Sequence, residues 1–285
     1  MPNTPIETRF QLPGLELAAK VWGPEDGIPT LALHGWLDNA GSFDLLAPLL
    51  SKLRIVALDC AGHGLSEFRS FDANYSLIEE VQDVFNVANL LGWEKFHLMG
   101  HSRGAAVGSL VAGTFPDRIS HLTLIEGFSP LPSTIAQVPS ELERAILEKT
   151  ELANSKGRLF GTRKEAIAAR MEGFIKVDEQ AAEILAQRAL IEEKDGFRWH
   201  VDARLKGTSE YRFTPEIIVP FLQRIEAKTL LVVAKDGLIL EQPHAKAFAN
   251  NISGLYFVTL DGRHHLHMEG QQQEIAQLIN QQFVL

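Results

Sequence analysis

Ser102 stands between two glycines in Leu98-Met99-Gly100-His101-Ser102-Arg103-Gly104-Ala105, after an apolar run and at the start of a helical pattern. Gly-x-Ser-x-Gly in that setting implies a tight, strained strand-to-helix turn that lifts the hydroxyl clear of a sheet. The glycines stand where a side chain would strike the neighbouring strand or helix. The helix that follows turns its free N–H groups, and the positive end of its dipole, toward the serine. Five letters alone can arise by chance in a glycine-containing loop, so the weight of the motif comes from the elements around it.

Those elements alternate through the first half of the chain. Leu15–Trp22, Thr30–Leu33, Leu53–Leu58, Phe96–Gly100 and Leu122–Glu126 read as strands, and Ser42–Leu50, Ser76–Leu91 and Arg103–Thr114 as helices. Ser76–Leu91 is the clearest helix. Its apolar residues recur at three- and four-residue steps, Ser76 with Glu79 makes a capping box, and Gly92 suits its end. Short buried strands alternating with helices predict a parallel sheet covered on both faces.

After Gly127 the pattern changes. Helical spacing over Ser140–Ala153, Arg163–Val177 and Asp178–Glu193, followed by an aromatic and basic loop at Phe197–Arg212, predicts a helical insertion over one edge of the sheet. Alternation then resumes with the strand Thr229–Ala234, a helix near Gln242–Asn250, the strand Leu255–Leu260 and a last helix from Glu269 to about Phe283. The expected organisation is a core over residues 1–127, an inserted cap over 128–225 and the rest of the core over 226–285.

A chain of 285 residues with 45% hydrophobic and 22% charged residues suits such a core with an insertion. Net charge is −9, and Lys and Arg nowhere gather into a phosphate-neutralising patch, so neither nucleic acid nor an anionic membrane is an expected partner. A small-molecule substrate is. No apolar stretch approaches the roughly 20 residues of a membrane span, and the first ten residues lack the pattern of a secretory signal. The single cysteine, Cys60, excludes an internal disulfide and suits a reducing compartment, so a cytoplasmic location is expected.

A serine needs a base, an orienting acid and donors for a developing oxyanion. His34-Gly35-Trp36, at the end of an early strand, and Arg103, after the serine, would supply the two backbone N–H donors, from Trp36 and Arg103. The base is expected in the late loop Asp261–Glu269, at His264. His265 and His267 are expected to pack or face solvent, and no helix spaces the three histidines as metal ligands. Neither metal nor organic cofactor is required. Two carboxylates at strand ends could serve as the acid, Glu126 and Asp236. Arg103 could meet a substrate carboxylate or pair with an acid of the cap.

Leu31–Leu50 (LALHGWLDNAGSFDLLAPLL), Val56–Ser66 (VALDCAGHGLS), MGHSRGA at the turn and GRHHLHME near the end resemble the α/β-hydrolase superfamily, and within it the serine hydrolase-like proteins. The resemblance covers most of the core and reaches the cap more weakly, through Trp199, Asp202, Arg204-Leu205 and Phe213-Thr214. It implies a mostly parallel eight-stranded sheet flanked by helices, with the helical insertion as a lid. It also bears on the acid. The superfamily commonly shows G-x-x-D after the seventh strand, and here Ala234-Lys235-Asp236-Gly237 puts glycine at that place. Relatives without that acid carry it at the end of strand six, where Glu126 stands, which favours Glu126 without excluding Asp236. A serine nucleophile implies an acyl-enzyme route on a small, apolar, ester-like substrate. The same residues could instead cleave a carbon–carbon bond, or the fold could survive as a non-catalytic binding protein.

Overall fold

The computed structural model describes residues 4–282. The chain enters through an antiparallel pair, β1 (Ile6–Leu12) and β2 (Leu15–Trp22), followed by β3 (Ile28–Leu33) and β4 (Leu53–Leu58). Next come α1 (Leu77–Leu90), β5 (Phe96–His101), α2 (Arg103–Thr114) and β6 (Ile119–Ile125). After the long excursion described below, the sheet is completed by β9 (Lys228–Asp236), a short helix α7 (Ala245–Ala249) and β10 (Tyr256–Arg263), with α8 (Gln272–Gln282) last. The eight strands run in the order β1-β2-β4-β3-β5-β6-β9-β10; all neighbours from β4 to β10 are parallel.

Strand β1 carries no sequence signal because it is an edge. It holds its place through backbone pairing, and of its seven residues only Leu12 is buried. The central strands are apolar on both sides because successive residues enter different cores. Leu31, Leu33, Leu98, Leu122, Leu124, Leu231 and Val233 pack toward α1, α2 and α7. Ala32, Met99, Ile125, Leu230, Val232 and Ala234 face the other way, with Phe43, Leu46 and α8.

The helix expected over Ser42–Leu50 is instead two short 3₁₀ turns, Ala40–Phe43 and Ala47–Leu49. Pro48 cannot donate to a continuing helix. The apolar spacing there reflects packing, since Phe43, Leu46 and Leu50 are all buried.

Between β6 and β9 lie α3 (Val138–Leu152), α4 (Arg163–Met171) and α5 (Glu179–Ala189). A two-stranded hairpin, β7 (Leu190–Glu193) and β8 (Gly196–Trp199), takes the place of the helix end and loop that the spacing predicts there. Its four-residue strands contain no fully buried residue, so period-two patterning has nothing to record. Ile167, Val177, Ala182 and Leu185 form a small core of their own with Met268 of the late loop. The last element of the segment, α6 (Pro215–Gln223), packs on α2 and buries Ile218 and Leu222 in the main core. Among the described residues no helix is long and apolar enough to cross a membrane.

Candidate active site

The strand order β4-β3-β5 reverses direction at β3, and crevices outside the carboxyl ends of strands at such a reversal receive ligands. Register carries the consequence to single residues. Leu33 lies opposite Gly100, His101 opposite Ile125, and Ile125 opposite Val232. The residues that follow β3, β5 and β6 therefore emerge side by side: Trp36, Ser102 and Glu126.

The described residues contain three non-glycine residues at positive φ, Leu37 (61°), Ser102 (51°) and Glu126 (47°), and all three follow these strand ends. Such conformations cost of order 1–3 kcal/mol each and persist only where the surroundings enforce them. Here the restraints are visible. Leu37 N–H donates to His63 Nε2 (3.2 Å), Ser102 N–H to Ile125 O (2.9 Å) and Glu126 N–H to Val232 O (2.8 Å). Ser102 O in turn accepts from Ala105 and Ala106 at the start of α2. The turn also needs its two glycines. A Cβ on Gly104 would lie 2.2 Å from Leu33 O, and one on Gly100 would lie 2.4 Å from Gly104 O.

Glu126 is buried, and its carboxylate is held by three backbone N–H groups: Ala234 on one oxygen (2.7 Å), Leu238 (2.6 Å) and Ile239 (3.1 Å) on the other. Its Oε1 lies 3.7 Å from His264 Nδ1. The space it fills belongs to position 237. A Cβ on Gly237 would come within 2.1 Å of Glu126 Oε1, so any side chain at 237 would displace this carboxylate. Asp236 is exposed at the end of β9, opposite Arg263 in the sheet register, and makes no hydrogen bond or ion pair with His264 among the described residues. Of the two candidate acids, the structure brings Glu126 to the imidazole.

Neither Trp36 N–H nor Arg103 N–H has an acceptor among the described residues. Arg103 is the first residue of α2, where the geometry of a helix leaves N–H groups unpaired. The Trp36 side chain does something separate: its indole N–H donates to Leu205 O (2.7 Å), tying the β3 loop to the segment above. The Arg103 guanidinium pairs with Glu80 of α1 and donates to Tyr75 O (2.9 Å). Glu80 is on a core helix, so the acid partner expected from the cap is supplied by the core.

Behind His264 lies a set of buried polar groups that spacing in the sequence could not assemble. His101 Nε2–H donates to His264 O (3.0 Å). His265 and His267 are both buried; they bond to Asp38 Oδ2 (3.1 Å) and Ser42 Oγ (2.7 Å). Asp38 also accepts from Arg170 of α4 (2.8 Å). Burial alone would raise the Asp38 carboxyl, but the hydrogen bond and charge of His265, with Arg170 and His101, outweigh it and hold the carboxyl well below the usual range. Burial pushes His101 well below the usual imidazole value, and the neighbouring His267, His264 and His265 push it the same way. Asp38, His101 and His265 present one ligand atom each within 4.8 Å of one another, the one group among the described residues with metal-ligand spacing. The Arg170 guanidinium already balances that carboxylate, and a divalent ion would face its charge at close range.

The chain matches the family described as alpha/beta hydrolase fold over residues 29–271. It is 31% identical to the serine hydrolase-like protein of Danio rerio, over 94% of this chain and 85% of that protein. A hypothetical protein of Pseudomonas aeruginosa PAO1 superposes with a TM-score of 0.93 at 41% identity, covering 97% of this chain and 99% of that one. The thioesterase domain from the curacin biosynthetic pathway superposes with a TM-score of 0.84 at 25% identity, covering 97% and 99%.

Proposed function

This chain belongs to the α/β-hydrolase family, among its serine hydrolase-like proteins, and from that premise we propose that it hydrolyses an ester or thioester through an acyl-enzyme formed on Ser102. His264 takes the hydroxyl proton as Ser102 attacks the carbonyl, and Glu126 orients the imidazole and balances its charge. The Trp36 and Arg103 N–H groups receive the oxyanion; removal of one such donor typically costs about 3 kcal/mol of transition-state stabilisation. His264 returns the proton to the leaving group. Water, activated by the same imidazole, then releases the acid. No step calls on a metal or an organic cofactor.

The observation that carries this reading is that, among the described residues, positive-φ strain at non-glycine positions falls on Leu37, Ser102 and Glu126 alone. Strain of that kind gathers at functional sites; here it falls on the proposed nucleophile, on the proposed acid and on the residue next to the Trp36 N–H. The thioester alternative within the class draws on the likeness to the curacin-pathway thioesterase domain.

A second reading, a binding protein that retains the fold without turnover, draws on one distance. The 3.7 Å between Glu126 Oε1 and His264 Nδ1 exceeds a hydrogen bond, and neither ring nitrogen of His264 has a partner among the described residues. Catalytic hydrogen bonds are often long before substrate arrives. A fluorophosphonate probe decides between the two. Stoichiometric labelling of the protein, abolished in Ser102→Ala, is the expected result; folded protein that takes up no label sinks the hydrolase reading.

A further inference from the structure

A groove of about 340 Å³ lies between the β3 loop, which lines it with Trp36 and Leu37, and the segment above it. Trp36 therefore belongs both to this groove and to the loop that offers the first unpaired N–H of the site. Phe160, Ile175 and Trp199 supply apolar wall, and Phe174 stands at the lip with 92% of its surface exposed. Its ring and that of Trp36 are nearly perpendicular, with centroids 6.5 Å apart. So large an exposed aromatic beside an apolar groove is a surface suited to an apolar ligand.

The charges around the groove have one sign. Arg158, Arg170 and Lys206 line it and no Asp or Glu does, in a chain of net charge −9. Arg170 is committed to Asp38. Arg158 lies over the Phe160 ring (4.6 Å to the centroid), and neither Arg158 nor Lys206 has a carboxylate partner among the described residues. Some exposed cations of this chain, such as Lys176 and Lys235, find carboxylates and others, such as Lys52, Lys95 and Lys246, do not among the described residues; what sets Arg158 and Lys206 apart is their place on the wall of an apolar groove. Two unpaired cations of different geometry beside an apolar channel match a phosphate group, with several acceptor oxygens, joined to an apolar chain.

We propose that this groove recognises an acyl thioester whose leaving group carries phosphate, as coenzyme A does. The apolar part lies against Trp36 and Phe174, and the phosphates meet Arg158 and Lys206. The proposal rests on the hydrolase reading, which supplies the scissile bond, and narrows its substrate class.

Calorimetric titration of Ser102→Ala, in which turnover is blocked, with two ligands tests it. Octanoyl-coenzyme A and the N-acetylcysteamine thioester of octanoate share acyl group and sulfur; only the first has phosphates. At low salt the coenzyme A thioester is expected to bind about tenfold tighter, the sum of two exposed charge contacts. That ratio falls to near one when Arg158→Gln and Lys206→Gln are added, and shrinks with ionic strength. It survives Lys52→Gln with Lys95→Gln, which remove equal charge at the opposite ends of the strands. Equal affinities for the two thioesters, no binding of either, or a preference that survives loss of both groove cations overturns the proposal. Binding is read without the nucleophile, so this result and the fluorophosphonate result stand or fall separately.

Discussion

Glu126 and Gly237 act as one unit although 111 positions separate them: the carboxylate of one fills the volume that the other leaves empty. Glu126→Gln is expected to lower kcat on any ester the protein turns over by about 10²–10⁴-fold, since a misoriented imidazole loses its role as base. Asp236→Asn should change it by less than about twofold, within the ordinary effect of a surface substitution. Steady-state kinetics on the two variants checks both, and a collapse in Asp236→Asn alone would return the acid to position 236. Gly237→Ala is expected to resemble Glu126→Gln in kcat and to cost about 1–3 kcal/mol of stability, because the new methyl collides with Glu126 Oε1. Denaturant midpoints read the second effect. The departure from G-x-x-D was legible as an anomaly in the sequence; what it makes room for became visible only in three dimensions.

At the scale of elements, α4 and α5 each send one arginine down into the core. Arg170 reaches Asp38, and Arg188 of α5 donates from Nε to both oxygens of Asp59 (2.9 and 2.8 Å) and from a terminal nitrogen to Glu7 (2.7 and 2.8 Å). Asp59 is buried at the end of β4 and also accepts from Ala40 and Leu65. Arg188→Met leaves that carboxylate without its counter-charge and is expected to cost about 3–5 kcal/mol. Arg163→Gln, which breaks an exposed pair with Glu183 on the same two helices, should cost less than about 1 kcal/mol. Urea unfolding of the two variants tests the contrast; similar costs would mean that the buried clamp does not hold these helices down. Helix α1 was readable from its residues because it is amphipathic and capped, with both halves of the Ser76–Glu79 box formed. The arginine clamps were not, since nothing local distinguishes Arg188 from a solvated helix residue.

For the molecule as a whole, the buried histidines predict how stability varies with pH. His97 and His267 are each pushed down to about 3 by burial, with His121 and His265 respectively adding to it, and His101 is also well below 6.5. Between roughly pH 6.5 and 3 the unfolded chain then binds more protons than the folded one. The stability these groups confer is complete above the unfolded value and lost as pH falls through that window. Asp83, pushed up to about 6 by burial, acts in the opposite sense over part of it. His97 and His267 alone outweigh Asp83 by about 1–2 kcal/mol between pH 6 and pH 5, and His101 and His63, which burial also pushes well below the ordinary imidazole value, deepen the fall. His267→Gln should flatten the slope by about one proton, read from unfolding free energies at several pH values. An unchanged slope would show that His267 does not titrate in this way.

Features that repeat or close locally were legible from the residues alone: the alternation of buried strands and amphipathic helices, the Ser102 turn between its glycines, and the late histidine. These follow from side-chain period and backbone sterics over a few residues. Tertiary structure decided everything that depends on distant residues sharing one volume. It selected Glu126 over Asp236 as neighbour of His264, gave Arg103 to Glu80, enclosed His101, His265 and His267 around Asp38, and made a strand of Ile6–Leu12. Excluded volume, burial and backbone pairing set those outcomes, and none of them leaves a periodic trace along the chain.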